Sequence, residues 1–211
     1  MQSKSETMAE RFVGFDPATL YEAAGLQGMV DPAIRPAWAG ARLCGVALTV
    51  DCPPGDNLML HHAVALASPG AVIVARVGEY RLAGCWGEIL TAAAQHRGVA
   101  GLAVDGAVRD IEAINERQFP VFSRGLAIGS CTKERFGQVG EPIRFGGVPV
   151  RSGDIVVGDA DGIVVVDQER ADEVFQKASA RRVKEAWLME QLGLGKTTIE
   201  LLGLPRPGGG K

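Results

Sequence analysis

The chain has 211 residues, 46% apolar and 22% charged, with a formal net charge of −3. That is enough chain for one domain with a sizeable core, and the balance is that of an ordinary globular protein. No basic stripe supports nucleic-acid binding, and no run approaches the roughly 18 apolar residues of a membrane-crossing helix. The 28 glycines are well above the usual share of about 7% and point to many tight turns and close backbone approaches. Cys44, Cys52, Cys85 and Cys131 form no C-x-x-C pair and sit among apolar or small residues, so reduced thiols are expected. Met1 to Glu10 mixes charges and lacks the apolar stretch of a secretory signal, so a soluble, cytoplasmic protein is expected.

Asp16-Pro17 places an N-cap and a first-turn proline at the start of a helix that ends near Gly25. A Pro-rich loop, Asp31 to Pro36, precedes a strand over Leu43 to Val50. After the Pro53-Pro54-Gly55 turn, Asp56 caps a helix to about Ser68, and Pro69-Gly70 breaks it. Ala71 to Ala75 and Gly101 to Val104 are short apolar runs between breakers, as buried strands are. Between them lie a loop, Arg76 to Ala83, and a helix, Gly84 to Arg97. This order is an α/β pattern.

The second half changes character. Short strands are expected at Phe119 to Phe122, Leu126 to Gly129, Ile143 to Phe145, Val148 to Val150, Ile155 to Asp159 and Gly162 to Val166, separated by glycine turns. Asp154, Asp159 and Asp161 resemble a metal cluster, but their glycine spacing fits hairpin turns better. A long C-terminal helix runs from Gln168 to about Leu192, and Gly193 to Lys211 forms a Gly- and Pro-rich tail expected to be loosely held. No repeat or linker divides the chain, so residues 1–192 read as a single domain followed by the tail 193–211.

Three segments can carry chemistry. In Asp105-Gly-Ala-Val-Arg-Asp110 a buried strand ends just before an Arg–Asp pair. Arginine offers planar donors to carboxylate or enolate oxygens, and aspartate is a hard ligand for Mg2+ or Mn2+. A surface ion pair with a capping Asp is the plain alternative. In Gly84-Cys-Trp-Gly-Glu88-Ile89-Leu90, glycines open a helix whose N-terminus favours an anion. Glu88 can equally serve only to complement that dipole. In Gly55-Asp-Asn57-Leu-Met-Leu-His61, Asn57 and His61 share a helix face, although a lone His there is usually structural. His96, near a helix end, is dipole-favoured. Lys133 can be pictured as a Schiff-base nucleophile, but Glu134 and a polar loop argue against it. Glu185 on the last helix is by default a solvated charge.

Together, from about Leu20 to Leu192, these segments resemble the aldolase branch of the family that also contains the regulator of ribonuclease E activity. The shared signature is an acidic residue, twenty positions, then Arg-Asp: here Glu88 and Arg109-Asp110, with Glu88 standing where these aldolases often carry Asp. The segments Gly55–His61 and Gly153–Gly162 and the Lys133 loop add to the resemblance. The regulatory branch typically lacks the Asp after the motif arginine and the extended C-terminal helix, and this chain has both.

The resemblance implies a phosphohistidine-domain-like layered α/β sandwich with helices flanking central β layers. It implies a divalent-metal-dependent pyruvate aldolase acting on 4-hydroxy-4-methyl-2-oxoglutarate or 4-carboxy-4-hydroxy-2-oxoadipate, with oxaloacetate decarboxylation as a side activity. The competing expectation is a non-enzymatic regulator that binds a ribonuclease E-type protein. In the aldolase reading Asp110 is the direct ligand of Mg2+ or Mn2+, and Arg109 holds the keto oxygen. Backbone N–H groups of Ile89 and Leu90 hold the pyruvyl carboxylate. Glu88 positions a water beside the metal, and Glu185 does the same from a neighbouring subunit. Asn57, His61 and Lys133 line the substrate side across a subunit boundary. A trimer or hexamer with shared sites is therefore expected.

Overall fold

The computed structural model describes residues 8–78 and 82–205. A 3-10 turn at Ala9–Phe12 leads into α1 (Pro17–Ala23), whose start is fixed by Asp16: its Oδ1 accepts the Thr19 N–H at 2.7 Å. The edge strand β1 (Arg35–Pro36) precedes β2 (Leu43–Asp51), α2 (Leu58–Leu66), β3 (Ala71–Arg76), α3 (Glu88–His96) and β4 (Gly101–Asp105). Then come β5 (Ala107–Val108), α4 (Ile111–Glu116), β6 (Val121–Ser123), β7 (Gly125–Leu126) and β8 (Gln138–Val139). Two hairpins follow, β9 (Ile143–Phe145) with β10 (Val148–Val150), and β11 (Ile155–Asp159) with β12 (Gly162–Val166). A 3-10 turn at Gln168–Arg170 runs into the long helix α5 (Ala171–Gly193), and α6 (Thr198–Leu202) ends the described chain.

The main sheet has the order β1-β6-β4-β3-β2-β11-β12, with β8 added to β2. Strands β2, β3, β4 and β6 are parallel, as crossover helices require; the hairpin β11–β12 and the edge β1 are antiparallel. The sheet curls until its two ends approach: the Arg35 guanidinium on β1 donates to the Ala160 and Asp161 carbonyls in the β11–β12 turn, at 3.3 and 3.2 Å. Side chains alternate along the strands. On β3, Ile73 and Ala75 pack with α2 and α3 in one cluster, while Val72 and Val74 pack with Phe122, Phe145 and Val156 in a second. On β11, Ile155 and Val157 face a third cluster with Phe12, Leu20 and Val174 from the α1–α5 layer. Strands buried on both faces explain why β3 and β4 are continuous apolar runs.

The expected α/β layering with a long C-terminal helix is present. The hairpin aspartates act in turns: Asp154 accepts the Arg151 and Gln168 N–H groups, and Asp159 accepts the Asp161 N–H. Several details differ from expectation, among them short strands at β1, β5 and β8 and a strand at Gly125–Leu126 where Leu126 to Gly129 was expected. The helix expected from Gly84 begins at Glu88, because Gly84 and Cys85 are drawn into strand-like pairing, donating to the Gly129 and Ala107 carbonyls at 2.9 Å each. Helix α4 was not anticipated, being six residues long without a side-chain cap. Within the Gly- and Pro-rich tail, Thr197 and Glu200 form a capping box that starts α6. Parts of the expected loop 76–83, the first ten residues and the tail lie outside the described residues. All four cysteines are free, Cys52 and Cys85 buried, Cys44 and Cys131 half-buried. Among the described residues no helix is long and apolar enough to cross a membrane.

Candidate active site

β4 delivers the chain to Gly106, where a Cβ would lie 2.2 Å from a Val77 methyl, so any larger residue would have to displace Val77. β5 then pairs with β7, the Ala127 N–H donates to Val108 O at 3.0 Å, and the Arg109 N–H donates to Trp86 O at 2.9 Å. These bonds hold the backbone of Arg109 between two neighbouring segments. Asp110 follows in the left-handed region, φ 57° and ψ 39°, a strained conformation that Asp tolerates better than most residues.

The opposite wall is the start of α3. The Trp86 indole N–H donates to Thr91 Oγ1 at 2.7 Å, and its ring stacks on Phe119. A Cβ at Gly87 would lie 2.3 Å from Asp110 Oδ2, and one at Gly84 would lie 2.8 Å from Arg109 Cβ. The two glycines therefore let the Arg109–Asp110 pair press against the helix start. Asp110 Oδ2 accepts the Glu88 N–H at 3.0 Å and lies 3.7 Å from Arg109 Nε. The first intrahelical bond of α3 is from the Thr91 N–H, so the N–H groups of Ile89 and Leu90 precede it and point out of the helix start.

A cavity of about 130 Å3 opens at this corner, lined by Asn57, His61, Ile89, Leu90, Arg109, Asp110 and Lys133 together with Gly84, Cys85 and Gly87. Seven of the residues singled out in the sequence thus meet in one place. Asn57, His61 and Lys133 line the cavity within the same chain, alongside Arg109 and Asp110. The buried Asn57 Nδ2 donates to Cys85 O at 2.8 Å, whereas Asn57 Oδ1 and His61 Nε2 are buried without a hydrogen-bond partner. Unpaired buried polar atoms are rare in native proteins, and here two beside one cavity leave hydrogen-bonding capacity unspent among the described residues. Burial, then the charge of Lys133 and the neighbouring His62, hold His61 below its ordinary pKa, so it is neutral at pH 7. Burial pushes the Cys85 thiol up, which keeps it protonated and unreactive.

Asp56 organises this wall, a role the sequence reading missed in treating it as a helix cap. Its carboxylate is buried and accepts the Leu58 N–H at 2.9 Å, the Thr132 hydroxyl at 2.6 Å, and the Glu134 and Arg135 N–H groups at 2.8 and 3.1 Å. Burial alone raises its pKa, but these four bonds outweigh it and hold the carboxyl well below the usual range. One anion thereby joins the Asn57–His61 helix to the Lys133 loop. Ser130 was also missed; its hydroxyl accepts from Arg109 Nη1 at 3.3 Å.

Two expected residues lie apart. The Glu88 carboxylate pairs with Arg117 at 2.7 Å, so its backbone N–H, not its side chain, meets Asp110. Glu185 sits on α5, paired with Arg181 at 2.7 Å, and does not line its own chain's cavity. Among the described residues no group of three or more His, Cys, Asp or Glu side chains is disposed to hold a metal. What the corner does offer is Asp110, whose Oδ1 accepts no hydrogen bond among the described residues. A carboxylate oxygen with no other partner among the described residues, at the mouth of this cavity, fits Mg2+, which keeps several waters and binds through one or two carboxylates.

A curled α/β sheet presenting an Arg–Asp pair at a helix N-terminus defines an RraA-like architecture. The chain belongs to the RraA-like family described as Aldolase/RraA, whose sequence model matches residues 17–165. A protein of Halalkalibacterium halodurans named "Putative 4-hydroxy-4-methyl-2-oxoglutarate aldolase" is 39% identical over 152 residues, 72% of each chain. Among solved structures, an uncharacterised protein from Pseudomonas syringae superposes with a TM-score of 0.86 at 29% identity, covering 96% of this chain and 95% of that one. The RNA-processing inhibitor RraA from Thermus thermophilis superposes with a TM-score of 0.67 at 23% identity, covering 73% of this chain and 93% of that one, a likeness of fold.

Proposed function

We propose that the chain is a divalent-metal-dependent carbon–carbon lyase that cleaves a 4-hydroxy-2-oxo acid with two or three carboxylates, 4-hydroxy-4-methyl-2-oxoglutarate or 4-carboxy-4-hydroxy-2-oxoadipate, and releases pyruvate. The observation that carries this reading is the cavity where Arg109, Asp110 and the α3 N-terminus meet the unpaired Asn57 Oδ1 and His61 Nε2. The 39% identical relative named for this activity supports it.

The Ile89 and Leu90 N–H groups, at the positive end of α3, bind the substrate's C1 carboxylate. Arg109 donates to the C2 oxygen, where negative charge develops as the C3–C4 bond breaks, and its anchorage to Trp86 O and Ser130 Oγ means little reorganisation is needed. Asn57 Oδ1 accepts the 4-hydroxyl proton's hydrogen bond, and neutral His61 Nε2 is the acceptor to which that proton can pass. Lys133 pairs with the C5 carboxylate. Asp110 holds the divalent cation, Mg2+ or Mn2+, which supplies Lewis-acid stabilisation of the same developing charge. Oxaloacetate, which generates the same pyruvate fragment on losing CO2, is a substrate of the same corner.

Glu185 acts from a neighbouring copy in a homotrimer or homohexamer, and Glu88 orders solvent once released from Arg117. Two features support assembly: Glu185 stands away from its own cavity, and Ile89, Leu126 and Ile128 around the corner are exposed.

The test is pyruvate release from both substrates with Mg2+ or Mn2+, with and without EDTA. Activity abolished by EDTA is expected; undiminished turnover in chelator rejects the metal role. No release from either substrate rejects the lyase and favours the alternative, a non-enzymatic regulator that binds a ribonuclease E-type protein.

A further inference from the structure

Glu88 meets both ends of α4, and the two contacts have opposite sign. Its backbone N–H donates to Asp110 Oδ2 at 3.0 Å, and Asp110 is the N-cap of α4. Its carboxylate Oε1 accepts from Arg117 Nη2 at 2.7 Å and from Nε at 3.3 Å, and Arg117 is the C-cap of the same six-residue helix. Among the described residues that carboxylate has no other partner. Gly87, Ile89 and Leu90 line the cavity of Arg109 and Asp110, whereas the Glu88 side chain is turned away from it to Arg117.

Arg117 acts from a fixed base. Its N–H donates to Ala113 O at 3.1 Å and its O accepts from Gln95 Nε2 at 2.9 Å, which ties its backbone to α4 and α3. The guanidinium and the Glu88 carboxylate themselves are 38% and 47% exposed. An ion pair so exposed is weak, and either member exchanges partners at little cost. A divalent cation on Asp110 is a second and stronger positive partner beside the same residue. We propose that Arg117 competes with the Asp110-bound cation for the Glu88 carboxylate, and so sets how tightly this corner takes Mg2+ or Mn2+. This rests on the metal-dependent lyase reading and deepens it, by naming what controls the release of Glu88. Side-chain length matters to the competition. One methylene fewer at position 88 withdraws the carboxylate by about 1.5 Å, the length of a C–C bond, and carries the 2.7 Å contact beyond hydrogen-bond reach. Glutamate makes this pair where aspartate would fall short of it.

The experiment measures Mn2+ binding to the full chain, without substrate, by loss of the free-ion EPR signal. The variants are Arg117→Met, which keeps the stem and removes the guanidinium, Glu88→Asp, Glu88→Gln, and the double variant Arg117→Met/Glu88→Gln. Urea midpoints report that each is folded. Arg117→Met and Glu88→Asp break the pair from opposite sides and keep a carboxylate at position 88. Each is expected to lower the Mn2+ Kd by about two- to fivefold, the scale of an exposed ion pair. The double variant is expected to bind Mn2+ as Glu88→Gln alone does, because Arg117 acts through the carboxylate. Equal tightening by Arg117→Met with and without that carboxylate means only that a nearby positive charge has gone, and it overturns the competition. An unchanged or raised Kd in Arg117→Met overturns it as well. Either result leaves the lyase standing. A wild type that binds no Mn2+ overturns the metal role and the competition together.

Discussion

Two Arg–Asp pairs lie close together along the chain and are built in opposite ways. Arg124 is only 8% exposed in its side chain; it bonds both oxygens of Asp105 and reaches Asp31 at 2.8 Å, while the Gly146 N–H adds a bond to Asp105. The hydrogen bonds it donates to Asp105, ahead of the one to Asp31, hold the guanidinium well above its usual range. Arg109 and Asp110 touch only at 3.7 Å, are each about two-fifths exposed, and keep unused donors and an unused oxygen. A closed pair has no capacity left for a ligand and serves the fold. An open pair at a helix start, held by its backbone, keeps that capacity.

The largest expected effects separate the two. Arg109→Ala should lower kcat/KM for pyruvate release by about 10²-fold or more, as removal of one donor to a developing oxyanion does, with little change in urea midpoint. Arg124→Ala should cost about 3–5 kcal/mol of stability, because it strands buried Asp105. Equal damage to activity and stability by both substitutions would erase the distinction. Asp110→Asn should leave the fold intact, since Asn also tolerates the left-handed region, and abolish the Mg2+ dependence of any residual activity, measured by metal titration.

Asp56 sharpens the comparison further, as an anion closed by four hydrogen bonds that nonetheless serves the cavity. Asp56→Ala should cost about 3 kcal/mol, by leaving buried donors unpaired, and should raise KM by loosening the Lys133 loop. Its folded pKa lies below the ordinary 3.8, so the unfolded chain binds its proton first as pH falls. Its stabilisation is complete above that value and is lost as pH drops below it. Urea midpoints at pH 7 and pH 3 should therefore differ less in the variant than in the wild type. The smallest effect is expected at Glu88: Glu88→Gln breaks a half-exposed pair with Arg117 and should change stability by less than about 1 kcal/mol, so any clear fall in turnover reports a role in chemistry.

Much of this site is legible before folding is considered. The spacing from Glu88 to Arg109-Asp110, the glycines at 84 and 87 and the Asn57–His61 interval are properties of order along the chain. Apolar runs mark β3 and β4 because both faces of a parallel strand are covered. The start of α3 was misjudged by four residues because strand-like pairing with Gly129 and Ala107, distant in sequence, competes with helix at Gly84 and Cys85.

Residue types, their spacing and the alternation of breakers with apolar runs determined the α/β layering and picked out seven of the residues that line the cavity, since these follow from local propensity and from motif spacing. The tertiary structure decided which polar atoms are spent and which are spare. Asp56 is satisfied largely by donors 76 to 79 residues away, and Arg124 partly by Asp31 at a separation of 93, while among the described residues Asn57 Oδ1 and Asp110 Oδ1 are left over. A hydrogen bond depends on geometry across a few ångströms, and only the closed sheet brings such distant segments within that reach.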